Sequence, residues 1–261
     1  MELGLKGKAA IVTGGSRGIG AGIARELAQE GVGVFLVARD EAALKARAEE
    51  IRSRHNVEAR FLSADLREDG AATACVQAAM QSLGRIDILV NSAGATKRGD
   101  FFKLSDEDFR DGFALKFHGA VRLARAAWPH LKERRGSIIN VGGIGANTPS
   151  AEFTIGGSVN SALEHFSKAL ADIGHGDGIR VNTIHPGHIE TDRLAKRVDA
   201  FARERNLDPA AARVEMARTL GIDRFGQPAD IGRLVAFLVS DAGSYIHGAA
   251  IDIDEGVTKG M

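Results

Sequence analysis

The chain has 261 residues, 44% of them apolar, and a formal net charge of zero. That is enough apolar sequence for one large core, and the missing basic surplus argues against nucleic acid as a partner. No run approaches the ~18 apolar residues that a membrane-spanning helix needs, and the start M-E-L-G-L-K-G-K-A-A lacks a signal-peptide pattern. A cytoplasmic protein with no membrane partner is therefore expected.

The segment K-A-A-I-V-T (8–13) reads as a strand, followed by a helix from Gly18 to about Glu30 with Gly31 as its C-cap. V-G-V-F-L-V-A (32–38) reads as a strand apolar on both faces, as in parallel sheets covered by helices on both sides. Next come a helix Glu41–Arg54 with Asp40 placed to cap it, a strand Ala59–Leu62, a helix Ala71–Leu83 and a strand 86–90. A long helix from about Asp106 to Lys132, a strand 137–141, a helix through about 158–173 and a strand 179–184 follow. The helix Pro228–Ser240 and the strand 249–253 close the pattern. This alternation implies right-handed crossovers and a single α/β domain, a doubly wound seven-stranded parallel sheet with helices on both faces. His188–Gln227 interrupts the beat as a charged helical insertion. Ligands bind outside the carboxyl ends of such strands, so the insertion is expected to be a substrate lid, with a plain surface excursion as the alternative.

Cys75, the lone cysteine, lies in the helical pattern A-T-A-C-V-Q-A-A-M and reads as a small buried apolar residue. The eight histidines are scattered without ligand spacing, so no metal site is expected.

The turn T-G-G-S-R-G-I-G, Thr13–Gly20, lies between the first strand and the first helix. Gly14 permits a tight turn, while Gly18 and Gly20 let a pyrophosphate approach the backbone at a helix N-terminus. A dinucleotide site follows. Where an NAD site usually places a carboxylate after the second strand, this chain has Arg39, and Arg17 lies in the turn itself. Two guanidiniums near the ribose suit a 2′-phosphate, so NADP(H) is expected over NAD(H), with the adjacent Asp40 as a counter-indication.

The glycine pattern Thr13, Gly14, Gly18, Gly20 resembles that of the short-chain dehydrogenase/reductase family. So do Asp65 in A-D-L, N-S-A-G (Asn91–Gly94), Pro186-Gly187, Thr191 and the tail R-F-G-Q-P-A-D-I through I-D-I-D-E-G. The resemblance covers almost the whole chain and is closest to the 3-oxoacyl-carrier-protein-reductase-like branch. It implies cofactor contacts from Gly14, Ser16, Arg17, Gly18, Ile19, Gly20, Arg39, Asp65, Leu66, Asn91, Ala93, Gly94, Pro186, Gly187 and Thr191.

The family's catalytic Asn, Ser, Tyr and Lys fall at Lys116, Gly143, Gly156 and Asn160, so none of those roles carries over. The only tyrosine, Tyr245, reads as structural. Glycines at two of the positions leave space for a bulkier ligand or a replacement side chain. The pair Lys116 and Asn160 keeps one ammonium and one amide with their places exchanged. Lys116 is expected either to bend over Gly156 and contact Asn160 as a proton donor, or to snorkel outward. His188 is a further candidate, titrating near neutrality or merely lining the pocket. His118, His185, Glu152 and Ser158 read as bystanders, structural groups or helix-terminal residues. The implied function is an NADP(H)-dependent oxidoreductase acting on a carbonyl or alcohol through an atypical site. The alternatives are a non-redox lyase or isomerase, or a catalytically silent NADP-binding protein. Small residues on the helices 106–132 and 158–173 (Ala114, Gly119, Ala120, Ala124, Ala126, Ala127, Ser161, Ala162, Ala169), together with the resemblance, imply a homotetramer, or at least a dimer.

Overall fold

The computed structural model describes residues 2–259. Seven parallel strands run β1 (Ala9–Thr13), β2 (Gly33–Ala38), β3 (Ala59–Ser63), β4 (Ile88–Asn91), β5 (Ser137–Val141), β6 (Arg180–Pro186) and β7 (Ala250–Ile253). Their spatial order is β3-β2-β1-β4-β5-β6-β7. The helices are α1 (Gly18–Gln29), α2 (Glu41–His55), α3 (Ala71–Leu83), α4 (Asp106–Phe113), α5 (Gly119–Arg134) and α6 (Thr154–Asp177). After β6 come α7 (Asp192–Arg205), α8 (Pro209–Leu220) and α9 (Pro228–Val239). This is the expected doubly wound sheet. The order reverses between β1 and β4, and the cleft opens beyond the carboxyl ends of those strands.

The strands are short and apolar on both faces because each face is covered. Along β1, Ala10 and Val12 point into a core with Ile23 and Leu27 of α1, Leu44 of α2 and Val235 of α9. Ile11 points the other way, onto Cys75 and Val76 of α3 and Leu123 of α5. This period-two division is what a covered pleated sheet requires. Helices α1 and α9 approach closely at Gly22 and Gly232, where an added Cβ on Gly232 would come within 2.9 Å of Gly22 O. Cys75 is fully buried, and burial pushes its thiol pKa up to about 12.

Several expectations are corrected. The C-cap of α1 is Glu30, with Gly31 following it at positive φ. The fourth strand begins at Ile88 rather than Ile86. The long helix is not uniform, because Ala114–His118 forms a π-helical turn between α4 and α5. Such turns are frequent at functional sites, and composition does not signal them. Helix α6 starts at Thr154 and runs through Gly156 and Gly157, whose poor propensity hid the first turn. Ser158 therefore lies inside the helix, and Glu152 lies in a 3-10 turn ahead of it. Asp40 does cap α2, accepting from Ala43 N at 3.0 Å. Tyr245 packs on nothing and is fully exposed. Gly119, Ala120, Ala124 and Ala127 are buried within the monomer, so they pack the chain's own core rather than an external face.

The segment after β6 forms α7 and α8, which share a small core of Leu194, Val198, Ala202, Ala212, Met216, Ile222 and Phe225. Among the described residues no helix is long and apolar enough to cross a membrane.

Candidate active site

The turn after β1 is built for close approach. Gly14 has φ +67° and Gly18 φ +57°, and an added Cβ on Gly14 would lie 3.1 Å from Ser92 O. Thr13 Oγ1 accepts from Ser92 N at 3.0 Å and Ala93 N at 2.9 Å, fastening the loop after β4 to the glycine turn. Ser16 is buried and Arg17 exposed. The N-terminus of α1 begins on Arg17 in extended backbone, with no side-chain cap among the described residues. Its free N–H groups and positive dipole end face the cradle left by the glycines, an arrangement that fits a dinucleotide pyrophosphate. A Cβ on Gly18 would lie 3.2 Å from Thr191 Cγ2, so the chain after β6 closes over the turn, with Thr191 also capping α7 through Leu194 N at 3.4 Å.

At the far end of the cleft, Arg39 is exposed and lies 3.8 Å from Asp65. Asp65 is hydrogen-bonded by Arg67 through both side chain and backbone, which holds its carboxyl below the usual range. Leu66 is buried. Asn91 is buried as well, and its amide donates to Asn140 Oδ1 at 2.8 Å. Its side chain thus braces β4 against β5 inside the sheet.

Lys116, on the π-helical turn, points inward. Its ammonium donates to Asn160 Oδ1 at 2.6 Å and to Gly142 O at 2.8 Å. Gly94 makes room for the stem, since a Cβ there would meet Lys116 Cδ at 3.0 Å. Asn160 is buried on α6 and also donates through Nδ2 to Gly143 O at 3.3 Å. The ammonium is deep in the protein although the residue keeps some surface toward the cleft. That depth, with the positive charge of Arg193 second, lowers its pKa from 10.5 to about 7.

The space expected at the two glycines is taken. A Cβ on Gly156 would overlap the edge of the Phe153 ring, and one on Gly143 would come within 3.1 Å of Asn160 Nδ2. Phe153 is the replacement side chain at Gly156, and sequence reasoning missed it because it lies three residues upstream in a 3-10 turn. Sequence reasoning also missed the depth of His185. That ring is fully buried, accepts from Gly143 N at 3.0 Å through Nδ1, and meets Glu164 at 2.8 Å through Nε2. It fixes the loop that carries Gly142 and Gly143.

His188 does not titrate near neutrality. Burial first, then the charges of Arg197 and Arg98, lower its pKa to about 4, so it is neutral at pH 7. His118 is exposed. Two cavities flank the site without including Lys116. One of about 470 Å³ lies between α6 and β7, and one of about 460 Å³ lies between the start of α9 and the end of β7, near His188, Ile222 and Asp254.

A family model described as Enoyl-(Acyl carrier protein) reductase matches residues 14–258. The chain is 34% identical over 258 residues to "Oxidoreductase UcpA" of Salmonella typhimurium, covering 97% of this chain and 95% of that protein. It superposes on L-sorbose reductase from Gluconobacter frateurii, complexed with NADPH and L-sorbose, with a TM-score of 0.96 at 33% identity over 100% of both chains. A short-chain oxidoreductase from Pseudomonas aeruginosa PAO1 that contains an atypical catalytic center gives 0.90 at 29% identity, over 97% of this chain and 98% of that one. Glycine turn, strand order and near full-length similarity agree: the chain belongs to the short-chain dehydrogenase/reductase family of oxidoreductases.

Proposed function

We propose that this chain is an NADP(H)-dependent oxidoreductase of carbonyl or alcohol substrates in which Lys116, held by Asn160, is the proton donor. The observation that carries this reading is the ammonium of Lys116 at 2.6 Å from Asn160 Oδ1, with its pKa lowered to about 7. A dinucleotide whose pyrophosphate is cradled at Thr13–Gly20 would, in its reduced form, supply a hydride from its nicotinamide. As the carbonyl carbon gains that hydride, the C=O π pair moves onto oxygen, and the Lys116 ammonium gives that oxygen one proton. The neutral amine left behind regains a proton from solvent. Asn160 Oδ1 and Gly142 O orient the ammonium. A donor whose pKa lies near the working pH is best matched to such a transfer, and a positioned acid of this kind contributes about 10²–10⁴-fold.

The preference for NADP(H) rests on Arg39 and Arg17 beside the adenosine end. The segment 188–227 acts as a lid, because α7 packs beside the glycine turn through Thr191. The assembly is a homotetramer, or at least a dimer, through the exposed side of α6, where Ser161, Ala169 and Ile173 face solvent in the monomer. A second reading, a catalytically silent NADP-binding protein, draws on one observation: the Phe153 ring fills the place of a side chain at Gly156. A carbonyl panel followed by NADPH absorbance separates the two. Oxidation of NADPH that depends on an added carbonyl supports the first reading, and NADPH binding without turnover supports the second.

A further inference from the structure

Three guanidinium groups gather at the open side of the cleft beyond Lys116. Arg98, on the loop after β4, lies with its guanidinium carbon 4.0 Å from the centre of the Phe153 ring, the same ring that fills the space at Gly156. Its loop is tied to the segment before α6 by Gly99 N donating to Glu152 O at 3.0 Å. Arg193 and Arg197 stand one turn apart on α7 and so share a face. Arg193 donates to Gly94 O at 3.0 Å, next to the stem of Lys116, and Arg197 reaches His188 Nδ1 at 2.9 Å.

Among the described residues, none of these three arginines and no carboxylate lie within ion-pair distance of each other, and the same is true of Lys116. The opposing charges that act on the cluster are Glu152 on Arg98 and Asp254 on His188. Elsewhere guanidiniums find carboxylates readily, as Arg67 does with Asp65 and Arg85 with Asp87. The charges in the cleft also oppose one another. Arg98 disfavours the charged form of Arg197, and Arg193 disfavours those of Arg98 and Lys116. His188 accepts from Arg197 through Nδ1, so its remaining ring hydrogen sits on Nε2 as a further donor. A chain of zero net charge therefore concentrates forked donors and a deep ammonium in one cleft without a carboxylate in ion-pair contact with them among the described residues. Guanidinium forks match carboxylate and phosphate oxygens in pairs.

We propose that the substrate is an organic oxyanion, a carbonyl compound or the matching alcohol bearing a carboxylate or phosphate, whose charged group is held by Arg98, Arg193 and Arg197. The placement of its reacting oxygen at Lys116 rests on the oxidoreductase reading above, whereas the anion site rests on the arginines alone. Direct calorimetry tests it. Protein saturated with NADP+, so that the cofactor's own phosphate sites are filled, is titrated with glycerol 3-phosphate, malonate and citrate, and with the neutral probes glycerol, malonamide and L-sorbose.

The expected result is that at least one anion binds about tenfold or more tightly than its neutral counterpart. Arg98→Met and Arg197→Met should each weaken it about tenfold while NADP+ affinity holds. The phosphate and carboxylate probes distinguish the two anion types. No anion binding, equal binding of neutral probes, or anion affinity unchanged in both variants overturns the proposal. Anion binding without turnover of any carbonyl supports this site and counts against the oxidoreductase reading. Turnover of L-sorbose with no anion binding does the reverse.

Discussion

The aromatic ring of Phe153 occupies the volume that a side chain at Gly156 would need. The glycine is thus a packing requirement of this site. A bare helix argument gives the opposite sign, since Gly→Ala inside a helix gains up to ~1 kcal/mol in propensity. Here Gly156→Ala is expected to destabilise by about 1–3 kcal/mol, because the ring is held by Arg98 and cannot retreat freely. Phe153→Leu in the same chain should recover most of that loss. Thermal or urea denaturation of the two single variants and the double variant checks this; additive losses would show that the two residues do not compete for space.

Much of the fold is legible in the sequence, because it rests on repeated local signals. β1 and β5 are short apolar runs, Asp40 is a capping residue before a helix, and Gly14 and Gly18 adopt positive φ at the turn where the glycine spacing demands it. Lys116 and Asn160, named as a pair from the sequence, do meet, at 2.6 Å. What the sequence does not carry is the path of side chains between elements. The π-helical turn that aims Lys116 inward has no compositional mark. Phe153 filling the space at Gly156 depends on a 3-10 turn, and the charge of Arg98 reaches Arg197 only because a loop and a helix far apart in sequence come together.

Burying the Lys116 ammonium has a consequence for stability against pH. Its pKa is about 7 in the folded chain against an ordinary 10.5, so between those values the unfolded chain holds a proton that the folded chain has released. Unfolding takes up a proton there, and this group makes stability rise with pH across the window. Below about pH 7 the lysine is charged in both states and its full burial cost is present. Lys116→Met removes this dependence, so the variant's stability relative to the original chain should be highest near pH 6 and fall toward pH 10. Urea denaturation at both ends of that range checks it. A difference that does not vary with pH would contradict a lowered lysine pKa.

Arg39 is exposed and 3.8 Å from Asp65, and the proposed preference for NADP(H) rests on it. Arg39→Asp should weaken NADP+ binding by about tenfold or more, the size of a lost charge-assisted hydrogen bond, and should narrow or invert the gap to NAD+. Calorimetry with both cofactors checks this. Equal affinities in the unmodified chain would remove the basis for the preference.

Ile173 is 61% exposed on α6, on the same helix as the exposed Ser161 and Ala169. Ile173→Glu should weaken assembly and shift mass toward smaller species by light scattering at low concentration. A chain that is monomeric at every concentration before substitution would contradict the assembly reading.

Lys116 as proton donor faces its most direct test in the pH dependence of carbonyl reduction, measured with the unmodified chain and with Lys116→Met on the same substrate. The account predicts that kcat for reduction falls as pH rises through about 7, where the ammonium is lost. Lys116→Met should lower kcat by about 10²–10⁴-fold and abolish that pH step while NADP+ affinity stays nearly unchanged. Retention of full turnover, or an unchanged pH step, in Lys116→Met would place the proton donor elsewhere and contradict the account.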